Sequence, residues 1–173
     1  VVILCASFGR NLAYYHAGQS DYAAPLLAKA NPQASFWRQA NGNFLDVCVL
    51  EFCKLFGDPK GRYAWQTIVK DAASFEVSLL GRLTVSADEF NAALNKMRRY
   101  RDKFVAHLDD DEVMNIPMLD LAHTSVSFYH EHVVTCEGTP GDFAGLTDTP
   151  EKFLVGYKEC LNEAHGIITR AET

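Results

Sequence analysis

The chemistry-bearing part of this sequence is Lys96-Met97-Arg98-Arg99-Tyr100-Arg101-Asp102-Lys103-Phe104-Val105-Ala106-His107. Five of the eight residues from Lys96 to Lys103 are basic, and a histidine closes the run. An arginine guanidinium offers a planar fork that grips a phosphodiester and stabilises negative charge as it develops. A histidine titrates near neutral pH and can move the proton of a ribose 2′-hydroxyl. Tyr100 and Phe104 offer aromatic faces nearby. RNA is the polymer that this set of side chains suits, and neither role requires a metal.

Two simpler readings stand beside this one. A basic run on a helix is commonly a solvated face paired with acids one turn away, and Arg98 and Asp102 have that spacing. A histidine at a helix C-terminus is commonly a favourable dipole contact or cap. Spacing adds a constraint of its own. Arg101 and His107 are six residues apart, so an ideal helix sets them ~9 Å apart along its axis and ~240° around it. They act together if the helix ends near His107, or if two copies of the chain meet across a two-fold axis.

The elements that must position these residues read as helices. Ser86-Ala87-Asp88-Glu89 has the form of a capping box. The helix it opens carries Phe90, Leu94, Met97, Arg101 and Phe104 along one side. It runs into Asp109-Asp110-Asp111-Glu112, whose charges oppose the macrodipole and favour termination. Residues ~33–56 read as a buried central helix, apolar on nearly all sides from Phe44 to Phe56, ended by the Gly57–Gly61 turn cluster. Asp71 can cap a short helix carrying Phe75, Leu79 and Leu83. Asn115-Ile116-Pro117 reads as the start of the next helix, with the stripe Leu119, Ala122, Val126, Tyr129, Val133 and Cys136. Residues 137–148 form a Gly-rich loop. Thr149-Pro150-Glu151 opens the last helix, with the stripe Phe153, Tyr157, Cys160, Ala164 and Ile167. Residues 1–32 read as an N-terminal helical segment, broken around Gly18–Asp21 and Pro25. No segment shows sustained strand alternation. The expectation is a single all-α domain over 1–173, a bundle of five to six helices.

Composition bounds the rest. The chain has 173 residues, enough for one domain with a substantial core. Apolar residues make up 48% and charged residues 22%, which excludes collagen-like, low-complexity and disordered classes. A net charge of −6 leaves no basic field over the whole protein, so any nucleic-acid site is a local patch. Five cysteines, an odd number without a CxxC, read as reduced, buried thiols in a cytoplasmic protein. The apolar start Val1–Ala6 is short and lacks a charged n-region, so neither a membrane span nor a signal peptide is expected. P-loop, GxGxxG, HExxH and GxSxG motifs do not occur.

The string Arg101-Asp102-Lys103-Phe104-Val105-Ala106-His107 resembles the R-x(4–6)-H motif of the HEPN superfamily, including the polar residue that commonly follows the arginine. The run Tyr100–Asp109, together with a Phe44–Gly57 helix ending Lys54-Leu55-Phe56-Gly57, is similar to the AbiU-type abortive-infection branch. The resemblance covers residues ~35–135. It implies a helical-bundle, metal-independent endoribonuclease of a bacterial defence or toxin–antitoxin type system, without a cofactor. It also implies a homodimer whose two motif clefts merge at the interface, and an antitoxin protein as a possible partner. Attack of the 2′-OH on the adjacent phosphate would leave 2′,3′-cyclic phosphate ends. By the same resemblance Arg101 holds the phosphate, His107 acts as acid or base and Asp102 orients one of them, while Lys96, Arg98, Arg99 and Lys103 bind flanking phosphates. One departure stands out. A tyrosine two residues after the motif histidine is the adenylylation site of many such toxins, and here Leu108-Asp109 follows His107. The alternatives are a non-catalytic HEPN-like module that binds RNA or a protein, and an interaction protein with an accidental motif.

Three other features are discounted. His123, His130, Glu131 and His132 read as surface or interface histidines rather than a metal site, because His123 and His130 are two turns apart. Asp46 and Glu51, inside the apolar central helix, read as structural polar contacts. Trp37 and Trp65 read as core or interface anchors.

Overall fold

The computed structural model describes residues 1–28, 32–106, 117, 119–138 and 149–172. Among these residues the fold is all-helical, with no strand. The α-helices are α1 (Val2–Gly18), α2 (Ala24–Ala28), α3 (Pro32–Phe52), α4 (Trp65–Ile68), α5 (Ala72–Leu83), α6 (Ala87–Tyr100), α7 (Asp120–His132) and α8 (Pro150–Glu172). Six of them have twelve residues or more, and α2 and α4 are single turns that periodicity does not reveal. Three helices pass directly into a π-helical turn: α3 into Cys53–Gly57, α6 into Arg101–Ala106 and α7 into Val133–Glu137.

Helix α1 is the spine of the bundle. It packs lengthwise on α3 and α8 and touches α7. Val2, Cys5, Phe8 and Leu12 recur at spacings of three and four and are all buried. Gly9 on the same face lets α8 approach, since an added Cβ would stand 3.2 Å from the Phe153 ring. On α3, Leu45, Cys48, Val49 and Phe52 meet this face. An aromatic centre follows: Phe52 stacks on Phe56, and Phe56 meets the edges of Phe90 and Tyr129. Phe75 of α5 packs on Trp65 and Tyr129, which ties α4 and α5 into the same core.

Local signals set the helix starts. Asp71 accepts the Ser74 amide at α5, and Ser86 and Glu89 form a complete capping box at α6. Thr149 accepts the Lys152 amide at the start of α8. Helix α7 begins at Asp120, three residues after Pro117 rather than around it.

The π turns shift the phase of the stripes that lead into them. After Val133 the expected stripe on α7 fails, and Cys136 is exposed. The π turn closes with Gly138 N–H donating to Val133 O, five residues back, so each turn holds extra chain and the 3.6-residue phase is lost. On α8 the stripe ends on Ile168, which is buried, and not on Ile167, which is 38% exposed. Cys5, Cys48 and Cys53 are buried, whereas Cys160 is half-buried. The expectation of buried thiols therefore fails for Cys136 and holds only in part for Cys160.

Candidate nucleic-acid interface

Helix α6 separates its two chemistries cleanly. Phe90, Leu94, Met97 and Tyr100 face the core, and Lys96 and Arg99 are exposed on the other side. Tyr100 is 3% exposed, and its hydroxyl donates to Asp46 Oδ1 at 2.9 Å. Burial pushes the Tyr100 phenol well above its ordinary pKa, and the hydrogen bond to Asp46 adds to this. Burial also raises the Asp46 carboxyl, against the lowering effect of the Tyr100 hydrogen bond. Tyr100 is thus a core residue satisfying a carboxylate of α3, not an aromatic face open to a base.

Arg98 also turns inward. Its Nε donates to Gly57 O at 2.7 Å, and its Nη1 donates to Asn95 Oδ1 at 3.0 Å. Gly57 O is one of the carbonyls that a helix leaves without an internal partner at its C-terminus. Arg98 therefore caps the end of α3. Gly57 packs tightly there, since an added Cβ would stand 3.0 Å from Cys53 Cβ. The Arg98–Asp102 pairing suggested by spacing is replaced by this contact.

Arg101 begins the π turn. Its Nε donates to Asp102 Oδ1 at 2.8 Å, and its Nη2 lies 2.7 Å from the same oxygen as an ion pair. The arginine side chain is 30% exposed and that of Asp102 58%, so the pair sits at the surface with one flank covered. Partial burial works to lower the Arg101 pKa, but the Asp102 hydrogen bond and the nearby Cys53, Asp102 and Asp58 outweigh it and the net shift is upward. Cys53 lies behind the guanidinium, and burial pushes its thiol up to about 11. Lys103 is half-buried. His107, the acidic run Asp109–Glu112 and the side chain of Phe104 lie outside the described residues.

The chain is brought together here by two π turns, Cys53–Gly57 from α3 and Arg101–Ala106 from α6. Sequence reasoning missed Cys53 as a neighbour of Arg101 and Gly57 as the acceptor of Arg98, because a π turn leaves no mark in hydrophobic periodicity.

The histidine cluster disperses. His130 is fully buried and stacks on Phe153, with ring centroids 4.8 Å apart, so it is neither a surface nor an interface residue. His132 meets Glu137 at 3.3 Å and the edge of Phe75. His123 lies on the Tyr157 ring, and the Tyr157 hydroxyl is 2.8 Å from His16 Nδ1. His16, His123 and Tyr157 come from three helices, so no sequence motif announces them. Among the described residues, no group of three His, Cys, Asp or Glu side chains is placed to hold a metal ion. Nor is any helix among them long and apolar enough to cross a membrane.

Comparison with family models, with curated proteins and with solved structures gave no match.

The site presents two exposed cations on α6, a half-exposed arginine held by a carboxylate, and an arginine committed to capping α3. Its capacity is for phosphate: Arg101 keeps Nη1 outside its contacts with Asp102, and Lys96 and Arg99 lie on the outer face of the helix that leads to it.

Proposed function

We propose that the chain is an HEPN-like, metal-independent endoribonuclease of a bacterial defence or toxin–antitoxin type system, acting as a homodimer. Arg101 holds the scissile phosphate and stabilises its charge, and Asp102 orients the guanidinium. One His107 takes the 2′-OH proton as the 2′ oxygen attacks phosphorus. The P–O5′ bond breaks, and the His107 of the other protomer protonates the leaving 5′ oxygen. The products are a 2′,3′-cyclic phosphate and a 5′-OH. Lys96, Arg99 and Lys103 bind flanking phosphates, whereas Arg98 positions the α3 terminus.

The observation that carries this reading is the π turn beginning at Arg101, at the end of a basic, amphipathic helix. Single π turns recur at functional sites.

A second reading, a non-catalytic HEPN-like module binding RNA or a protein partner, is favoured by the Arg101–Asp102 pair itself. That pair already neutralises the central cation. Incubating total RNA and tRNA in EDTA with wild type, Arg101→Ala and His107→Ala separates the two. The nuclease reading predicts cleavage by wild type and a loss of at least ~100-fold in each folded variant. Equal cleavage by all three proteins, or RNA retention without cleavage, would reject it.

A further inference from the structure

The turn that follows α3 brings a second set of cations to the basic helix. Arg98 Nε on α6 donates to Gly57 O, so the end of α6 lies against the start of this turn. Partial burial lowers the Arg101 pKa, and Asp58, the next residue of the turn, is near enough to be among the groups that raise it. The turn then carries Lys60, Arg62 and Tyr63, all exposed. None of the ion pairs among the described residues uses Lys60 or Arg62.

The backbone under these side chains is tied down. Asp58 O accepts the Gly61 amide at 2.9 Å, and Asp58 Oδ1 accepts the Lys60 amide at 3.1 Å. Gly61 O accepts the Ala64 amide at 3.1 Å. The hydroxyl of the buried Tyr129 donates to Tyr63 O at 3.1 Å, and the next two residues, Ala64 and Trp65, are buried. The turn is thus anchored to the core while its basic and aromatic side chains meet solvent. A segment ordered in advance loses little entropy when a ligand arrives. The Arg62 guanidinium carbon stands 5.5 Å from the Tyr63 ring centroid, a cation–π contact that holds ring and cation together.

We propose that Lys60, Arg62 and Tyr63 form a second arm of the RNA interface, in which Tyr63 stacks an unpaired base and Lys60 and Arg62 bind the phosphates beside it. The inference rests on the ribonuclease reading for its ligand. An aromatic ring flanked by cations matches a polymer that alternates flat bases with phosphates. An acidic peptide would use the cations and leave the ring idle. The arm lies on the α3 side of α6, whereas Lys96 and Arg99 are exposed on its outer face, so it lengthens the stretch of RNA held around Arg101.

The test is fluorescence anisotropy over a range of salt concentrations. Its probe is a short, fluorescein-labelled single-stranded RNA, 2′-O-methylated throughout so that it is not cut. The proposal predicts that Tyr63→Ala weakens binding about tenfold without changing the salt slope. Tyr63→Phe, which keeps the ring, binds as wild type does. Replacing Lys60 and Arg62 together by Ala makes the slope shallower by roughly 1.4, for one phosphate contact from each side chain. Melting curves check that each variant is folded. Binding by wild type, with the same affinity and slope in Tyr63→Ala and in the double variant, overturns the inference and leaves the ribonuclease reading intact. So does a loss in Tyr63→Ala that Tyr63→Phe shares. No binding by wild type at any salt concentration overturns both.

Discussion

At the residue scale, the arginines of α6 divide by what they touch. Arg101 lies at the surface beside Asp102, whereas Arg98 reaches the last carbonyl of the π turn that follows α3 and caps it. The two are indistinguishable in the sequence, because charge and spacing do not reveal where a side chain's partner lies. Arg98→Ala is therefore expected to lower stability by about 1–2 kcal/mol, from a charge-assisted hydrogen bond lost at a half-buried site, while leaving RNA affinity nearly unchanged. Urea unfolding and filter binding on the same preparation check both parts. A large loss of RNA affinity with unchanged stability would return Arg98 to the phosphate-binding set. Tyr100 was likewise unreadable in advance. Its ring has the composition of a base-stacking face, but its position on α6 one residue before the π turn makes it part of the buried stripe.

At the element scale, the capped helix starts were legible. Ser86–Glu89 and Asp71 are short-range signals whose partners sit three residues away, and both appear as hydrogen bonds. The π turns were not legible, since they keep the same residue types and only slip the phase. That slip takes Cys136 out of the buried stripe and leaves it exposed. The junction of α1, α7 and α8 holds His16, His123 and Tyr157, with Asp120 nearby. Burial lowers the pKa of both histidines from 6.5; His16 lowers His123 further, and Asp120 partly opposes the shift on each. A lowered folded-state pKa means that the unfolded chain takes up the protons first. Stability is therefore fully present above about 6.5 and falls as pH drops through that value toward the folded pKa. Asp46 and Glu51 have raised values and contribute a slope of opposite sign, so the informative quantity is the difference between two proteins. Melting curves from roughly pH 7 to 5 should show a shallower loss of stability in His123→Gln than in wild type. Parallel curves would mean that His123 does not titrate with unfolding.

At the scale of the whole molecule, an all-helical bundle was legible because apolar residues recur at helical spacing along nearly the entire chain. The count was less so, because α2 and α4 are too short to carry a period. The candidate site was half legible. Sequence placed Arg101 and its basic neighbours on one capped helix, but the wall behind them comes from α3, more than forty residues earlier in the chain. The acidic body and the local patch lead to a prediction about salt. With a net charge of −6, the proposed RNA binding would rest on few cations, and each phosphate contact to a single strand contributes a slope of roughly −0.7 in log K against log salt. Replacing both Lys96 and Arg99 by Ala should make that slope shallower by roughly 1.4 per binding cleft contacted once by each side chain. An unchanged slope would place the RNA on another face.

In the proposed reaction the 2′-OH breaks the RNA chain, and the ends of the product report that directly. Wild-type protein is incubated with tRNA in EDTA, and the fragments are analysed by mass spectrometry and by their response to phosphatase and kinase. The proposed reaction predicts 2′,3′-cyclic phosphate and 5′-OH termini that disappear in Arg101→Ala and His107→Ala. Fragments with 5′-phosphate and 3′-OH ends, or the same fragments from both variants, would contradict it.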